Sequence, residues 1–168
     1  MSLILGAGSI RDTQRRNTLS EEHDVTDGEQ KISALIERWA AGVRDADLDT
    51  VLADHDPDIV MFDVPPPNEG VRGIDAYRET WPPFFEWLAS GAVFEIESLY
   101  VTAGSDVAFA YALLKCGTPA DLARHPGQRL RLTIGLHKID GRWIVAHEHH
   151  SFPDTTDISA SSGPDADR

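Results

Sequence analysis

From Val93 to Ser151 the chain reads as four long, largely apolar segments separated by turn signals, and this run constrains the fold more than any other part. The segments are Val93–Thr102, Val107–Cys116, Gln128–Ile139 and Trp143–Ser151. Gly104-Ser105 and Asp140-Gly141 are short turn dipeptides that predict tight hairpins. The connection Gly117–Gly127 is longer, holds two prolines and reads as a loop. A meander of long antiparallel strands follows from this pattern.

The preceding part has a different period. Ile32, Leu35, Ile36, Trp39, Ala40 and Val43 form one apolar stripe of a helix of about four turns. Asp27 is its expected N-cap. Asp47 can cap a short second helix through Leu48, Val51 and Leu52. Beyond Pro57, a short strand is expected from Ile59 to Val64, ended by Pro65-Pro66-Pro67. Gly70–Gly73 reads as a turn. A third helix is expected over Ile74–Leu88, with Pro82-Pro83 kinking or dividing it. Helices first and strands after predict an α+β fold, the helices lying on one face of the sheet. Residues 1–27 read as a flexible N-terminal arm, 28–153 as the folded domain and 154–168 as a disordered tail.

Two of the strands are apolar on both faces: Phe109, Tyr111 and Leu113 alternate with Ala108, Ala110, Ala112 and Leu114, and on the next strand Leu130, Leu132, Ile134 and Leu136 oppose Thr133 and Gly135. A one-sided antiparallel sheet would carry a polar outer face. A homodimer through that outer face is the expected cover, with the N-terminal arm as the alternative.

Composition narrows the partners. The net charge of −13 and the absence of a basic stripe exclude nucleic acid as an expectation. No apolar run approaches the ~18 residues of a membrane span, and Leu3-Ile4-Leu5 is too short for a secretory core. A single cysteine, Cys116, rules out an intramolecular disulfide. A cytoplasmic protein with no membrane partner is expected.

The segment Ala146-His-Glu-His-His-Ser-Phe-Pro153 carries three of the seven histidines. With strict alternation along the strand, Trp143, Val145, His147, His149 and Ser151 share one face, and Ile144, Ala146, Glu148 and His150 the other. The face of Trp143 is expected to look inward, so His147 and His149 become candidate pocket residues, with Tyr111 and Thr133 as neighbouring hydroxyl donors. A lone His-x-His pair is a weak metal signal, and no metal is expected. Trp81 and Phe85 on the third helix are expected to wall the pocket for a planar hydrophobic small molecule.

Several motifs carry a family resemblance. Arg38-Trp39-Ala40-Ala41, Asp45-Ala46-Asp47-Leu48-Asp49, Val51-Leu52-Ala53-Asp54 and Phe62-Asp63 are similar to the opening of steroid delta-isomerases and SnoaL-like polyketide cyclases. Gly70–Tyr77 and Asp140-Gly141-Arg142-Trp143 with its His-Glu-His-His ending resemble the ketosteroid isomerase homologues of the same superfamily, the nuclear transport factor 2-like fold. The association domain of calcium/calmodulin-dependent kinases is also similar. The likeness covers about residues 29–153.

This resemblance implies a cone-shaped, strongly curved antiparallel sheet with three N-terminal helices over its concave face. It implies acid/base isomerase or cyclase chemistry next to a carbonyl, without a cofactor; a non-catalytic binding or oligomerisation module is the alternative. Asp63 falls where steroid isomerases keep their general base, a role that needs a desolvated carboxylate of raised pKa. Met61 shares its strand face. The family's oxyanion tyrosine falls on Trp39 and its protonated aspartic acid near Gly135, so that pair of donors is not carried over. Trp39 remains as a single indole donor or as core, and His147 and His149 are the candidate replacements alongside Asp63.

Overall fold

The computed structural model describes residues 10–154, with side chains from residue 27 onward. Helix α1 (Ile10–Asp45) is followed by α2 (Leu48–Leu52), β1 (His55–Phe62), β2 (Val71–Arg72), α3 (Ile74–Ala89), β3 (Val93–Ala103), β4 (Val107–Gly117), α4 (Pro119–Arg124), β5 (Leu130–Ile139) and β6 (Arg142–Ser151). The strands form one curved, open six-stranded sheet in the order β2-β1-β6-β5-β4-β3. It is an α+β fold, as the order of periods predicts.

Several local outcomes differ from the expectation: β1 starts at His55 and runs through Pro57 rather than beginning at Ile59, and β2 lies within the stretch read as a turn at Gly70–Gly73. Helix α1 does not start at Asp27 but passes through it, so residues 10–27, read as an arm, are helical. Asp27 instead pairs with Lys31 one turn on, an i,i+4 contact that favours continuation over capping. Residues 1–9 and 155–168 lie outside the described residues. Helix α3 is not divided at Pro82-Pro83. The loop after Gly117 contains α4, with Thr118 as N-cap accepting from the Asp121 N–H and Pro119 opening the first turn, the position where a missing N–H costs nothing.

The stripe on α1 packs as its spacing requires: Ile32, Ile36 and Val43 are fully buried, and Trp39 nearly so. Trp39 meets Trp81 and Phe94 edge to face at 5.9 and 5.7 Å. Asp47 caps α2 through the Thr50 N–H at 3.1 Å. Gly70 supports the β1–β2 turn with φ 72°, and a Cβ there would lie 2.3 Å from the Met61 carbonyl oxygen. That approach and that φ both demand glycine.

Two features of the sheet decide where the site lies. Strand β1 joins β6 in parallel, the one parallel pair of an otherwise antiparallel sheet, with Met61 opposite Glu148 and Phe62 opposite His149. Strand β6 carries a bulge: Leu136 opposes Val145, but Gly135 opposes His147, so Ala146 is an extra residue. An inserted residue reverses the alternation downstream. Trp143 and Val145 face the core before the bulge; Glu148 and His150 face it after.

Candidate functional site

The pairing of β1 on β6 ends at Phe62 and His149, and the side chains of the next residues, Asp63 and His150, meet at the cavity. Nδ1 of His150 lies 3.2 Å from Asp63 Oδ1, which also accepts from the Val64 N–H at 2.8 Å. Behind His150 stands Glu148, only 1% exposed. Glu148 Oε1 accepts from His55 Nε2 at 2.9 Å and from the Tyr77 hydroxyl at 3.0 Å. Trp39 Nε1–H in turn donates to the Tyr77 oxygen at 3.2 Å. His150 Nε2 and Glu148 Oε2 face each other at 3.7 Å, too far for a hydrogen bond, and neither has another partner among the described residues. Asp63, His150, Glu148 and His55 thus alternate carboxylate and imidazole from the cavity into the core.

The electrostatics follow from this order. Burial alone would lower the pKa of His150, yet the hydrogen bond to Asp63 and the charges of Glu148 and Asp63 raise it above the ordinary imidazole value. Burial alone would raise Asp63, but the His150 contact and the Val64 N–H hold it below the usual carboxylate range. Tyr77 is pushed well above the normal phenol by burial and by the charge of Glu148, so it stays a hydroxyl donor. The Cys116 thiol is pushed up to about 12 by burial and by the charge of Asp63.

Asp63 and His150 line a cavity of about 890 Å³. Its floor includes Met61 and Cys116, and its walls include Trp81, Phe84, Trp87, Phe94, Phe152 and the Pro65–Pro67 turn. Glu79, Asp121, Arg124 and His125 also line it. The lining thus combines aromatic and proline walls with a set of charged and polar side chains.

Of the residues singled out in the sequence, Asp63, Met61 and Trp81 line this cavity. The others do not. The bulge at Ala146 turns His147 and His149 to the outer face, where both rings meet Phe62 edge to face at 5.2 and 5.9 Å. His147 Nδ1–H donates to the Val60 carbonyl at 2.8 Å. Tyr111 and Thr133 are exposed in the same outer row, Tyr111 opposite Thr133 and Thr133 opposite His149. Trp39 is core, its N–H spent on Tyr77. Phe85 stacks on Trp81 at 5.9 Å but lines a different groove, between α1, α3 and β3. Asp63 is on the expected face, but its pKa is shifted down rather than up because His150 is its neighbour.

Strict alternation hid Glu148 and His150. The one available signal was Gly135: a glycine inside an apolar strand often marks a bulge in the pair. His55 and Tyr77 carried no signal, since each lies in its own element without a polar motif.

The comparisons with known proteins bear on this arrangement. The family model of the SnoaL-like domain matches residues 32–155. This chain belongs to the SnoaL-like family. It is similar to a nuclear transport factor 2-like protein of unknown function from Pseudomonas putida KT2440, at 34% identity over 79% of this chain and 91% of that one, with a TM-score of 0.65. A second nuclear transport factor 2-like protein, from Novosphingobium aromaticivorans, shares the fold at 14% identity over 92% of this chain and 97% of the other (TM-score 0.61). A proposed ketosteroid isomerase from Shewanella frigidimarina does so at 14% identity over 70% of this chain and 92% of the other (TM-score 0.54). No functionally curated protein matches. The SnoaL-like match covers α2 to β6 and most of the packed half of α1, and so takes in every residue of the carboxylate–imidazole series. No helix among the described residues is long and apolar enough to cross a membrane.

Proposed function

We propose that this SnoaL-like protein binds a hydrophobic small molecule in the cavity beside Asp63 and His150, and that Asp63 is the proton acceptor it meets there. The observation that carries this reading is the Asp63–His150 contact at the wall of a cavity whose lining includes Met61, Trp81, Phe84, Trp87, Phe94 and Phe152. His150 has Nδ1 committed to Asp63 and Nε2 buried against Glu148, so the carboxylate is the group left for a ligand. Both hydrogen bonds to Asp63 fall on Oδ1; Oδ2 has none among the described residues.

Proton abstraction next to a carbonyl, of the isomerase or cyclase type, is the chemistry such a pair serves. A carboxylate held low is a weak base, so the carbon acid it serves must itself be acidic, as the position next to a carbonyl is. No cofactor is required for such a step. The test is deuterium uptake at the activated methylene of 2-tetralone, followed by proton NMR. Uptake above the buffer rate that disappears in Asp63→Asn supports the reading. Binding of the ketone with uptake at the buffer rate removes the catalytic part.

A second reading, a binding module without catalysis, has one observation in its favour. The donors Trp39 and Tyr77 point into the core, and Gly135 offers no side chain, so the oxyanion pair of the steroid isomerases is not reproduced at these positions. The outer face of the sheet bears on assembly in either case. Tyr100, Val107, Phe109, Tyr111 and Leu113 are all exposed there, and Tyr100 stacks on Tyr111 at 5.1 Å. We propose that a second copy of the chain covers this face.

A further inference from the structure

The charged side chains lining the cavity are not balanced. Asp63 is matched by His150 at 3.2 Å, and Asp121 by Arg124 at 3.3 Å. Glu79, on the exposed side of α3, has no ion-pair partner among the described residues. His125 is the remaining imidazole of the lining. Three carboxylates, Asp63, Glu79 and Asp121, thus stand against Arg124 and the His150 imidazole, and Glu79 is left unmatched. The net charge of −13 adds a field of the same sign around the opening.

The floor has the same bias. A carboxylate oxygen only accepts hydrogen bonds. The hydroxyl groups near the floor turn elsewhere, Thr80 donating to the Tyr77 carbonyl at 2.7 Å and Tyr77 to Glu148, while the buried Trp81 Nε1–H has no partner among the described residues. A ligand at Asp63 must bring the donor itself. The walls between floor and opening are aromatic faces and edges, with Trp81, Phe84, Trp87, Phe94 and Phe152 among them. Aromatic faces attract a cation and do nothing comparable for an anion.

We propose that the cavity selects a hydrophobic ligand bearing a protonated amine and rejects organic acids of the same skeleton. This rests on the reading above only in taking the cavity as the ligand site. An ammonium supplies the missing hydrogen-bond donor, finds an unmatched carboxylate at Glu79 and lies against aromatic walls. A carboxylate ligand would confront Asp63 and Glu79 with Arg124 already engaged.

The test uses the full chain and three probes on one ring system: 2-naphthylmethylamine, 2-naphthylmethanol and 2-naphthylacetate. Affinities are read by calorimetry at low and at moderate salt. The amine is expected to bind about ten-fold or more tighter than the acid and tighter than the alcohol, its margin shrinking with salt. Glu79→Lys, an exposed change that leaves the core untouched, is expected to cut the amine's margin over the alcohol by about five-fold or more. Asp63→Asn, checked for a native thermal transition, is expected to do the same. Equal or tighter binding of the acid overturns the proposal, as does an amine margin that survives both variants. Binding of alcohol and acid without the amine overturns it while leaving the cavity as a ligand site. Binding of none of the three overturns both readings.

Discussion

His150 and Asp63 lie 87 positions apart in the chain, yet their Nδ1 and Oδ1 atoms are 3.2 Å apart, and each shifts the other's protonation. His150 is raised above 6.5, so its contribution to stability is complete below that value and is lost as pH rises through its higher folded pKa. Asp63 is lowered below 3.8, so its contribution is complete above that value and is lost as pH falls through its folded pKa. Both are complete together only between 3.8 and 6.5. Thermal unfolding followed from about pH 3 to about pH 9 should show its highest midpoint in that window. His150→Gln should remove the fall on the alkaline side.

Glu148 is a harder test of the buried series. Glu148→Ala leaves the His55 and Tyr77 donors without their carboxylate acceptor and should cost about 2–5 kcal/mol, on the order of two buried donors losing their partner. Glu148→Gln keeps an acceptor oxygen and should cost about 1–3 kcal/mol. Urea unfolding of the two variants would show the order, and equal losses would mean that volume rather than hydrogen bonding governs the site.

Two glycines should respond oppositely to alanine. At Gly70 a Cβ would meet the Met61 carbonyl oxygen at 2.3 Å, with φ at 72°, so Gly70→Ala should destabilise by several kcal/mol on the order of backbone strain plus a clash. At Gly135 the nearest atom to a Cβ is His147 Cβ at 3.5 Å, an ordinary contact. Gly135→Ala should stabilise by about 0.5–1 kcal/mol, by restricting the unfolded chain. Calorimetric midpoints decide both.

The outer face predicts an assembly that a single charge breaks. Phe109 is 50% and Tyr111 49% exposed in one chain. Sedimentation equilibrium should give a dimer for the natural chain and a monomer for Phe109→Glu, with the helical circular dichroism unchanged. A natural chain that sediments as a monomer would leave that face without a partner copy.

The elements were legible where their periodicity was regular. The α1 stripe, the Asp47 cap and the hairpin turns at Asp140-Gly141 all follow from side-chain spacing, because helical and strand periods sort apolar from polar groups locally. Start points were less legible: Asp27 reads as a cap, but a lysine one turn on gives it a partner within the helix. The site itself turned on one residue. Ala146 has nothing in its chemistry that announces a bulge, yet it exchanges His147 and His149 for Glu148 and His150 at the cavity side. Asp63 survived that exchange because β1 reaches its end in unbroken alternation from Ile59.

The parallel seam between β1 and β6 has a further consequence, for the order of folding. Strand β1 pairs locally with the short β2, but its seam with β6 forms only when the last strand has emerged, so the seam is a late, long-range closure. The helices and the β3–β5 meander can organise through nearer contacts, while Met61, Asp63 and the β2 edge wait beside them. The cavity beside Asp63 is therefore among the last parts of the nascent chain to close, and truncations that spare most of the sheet but remove β6 would abolish it.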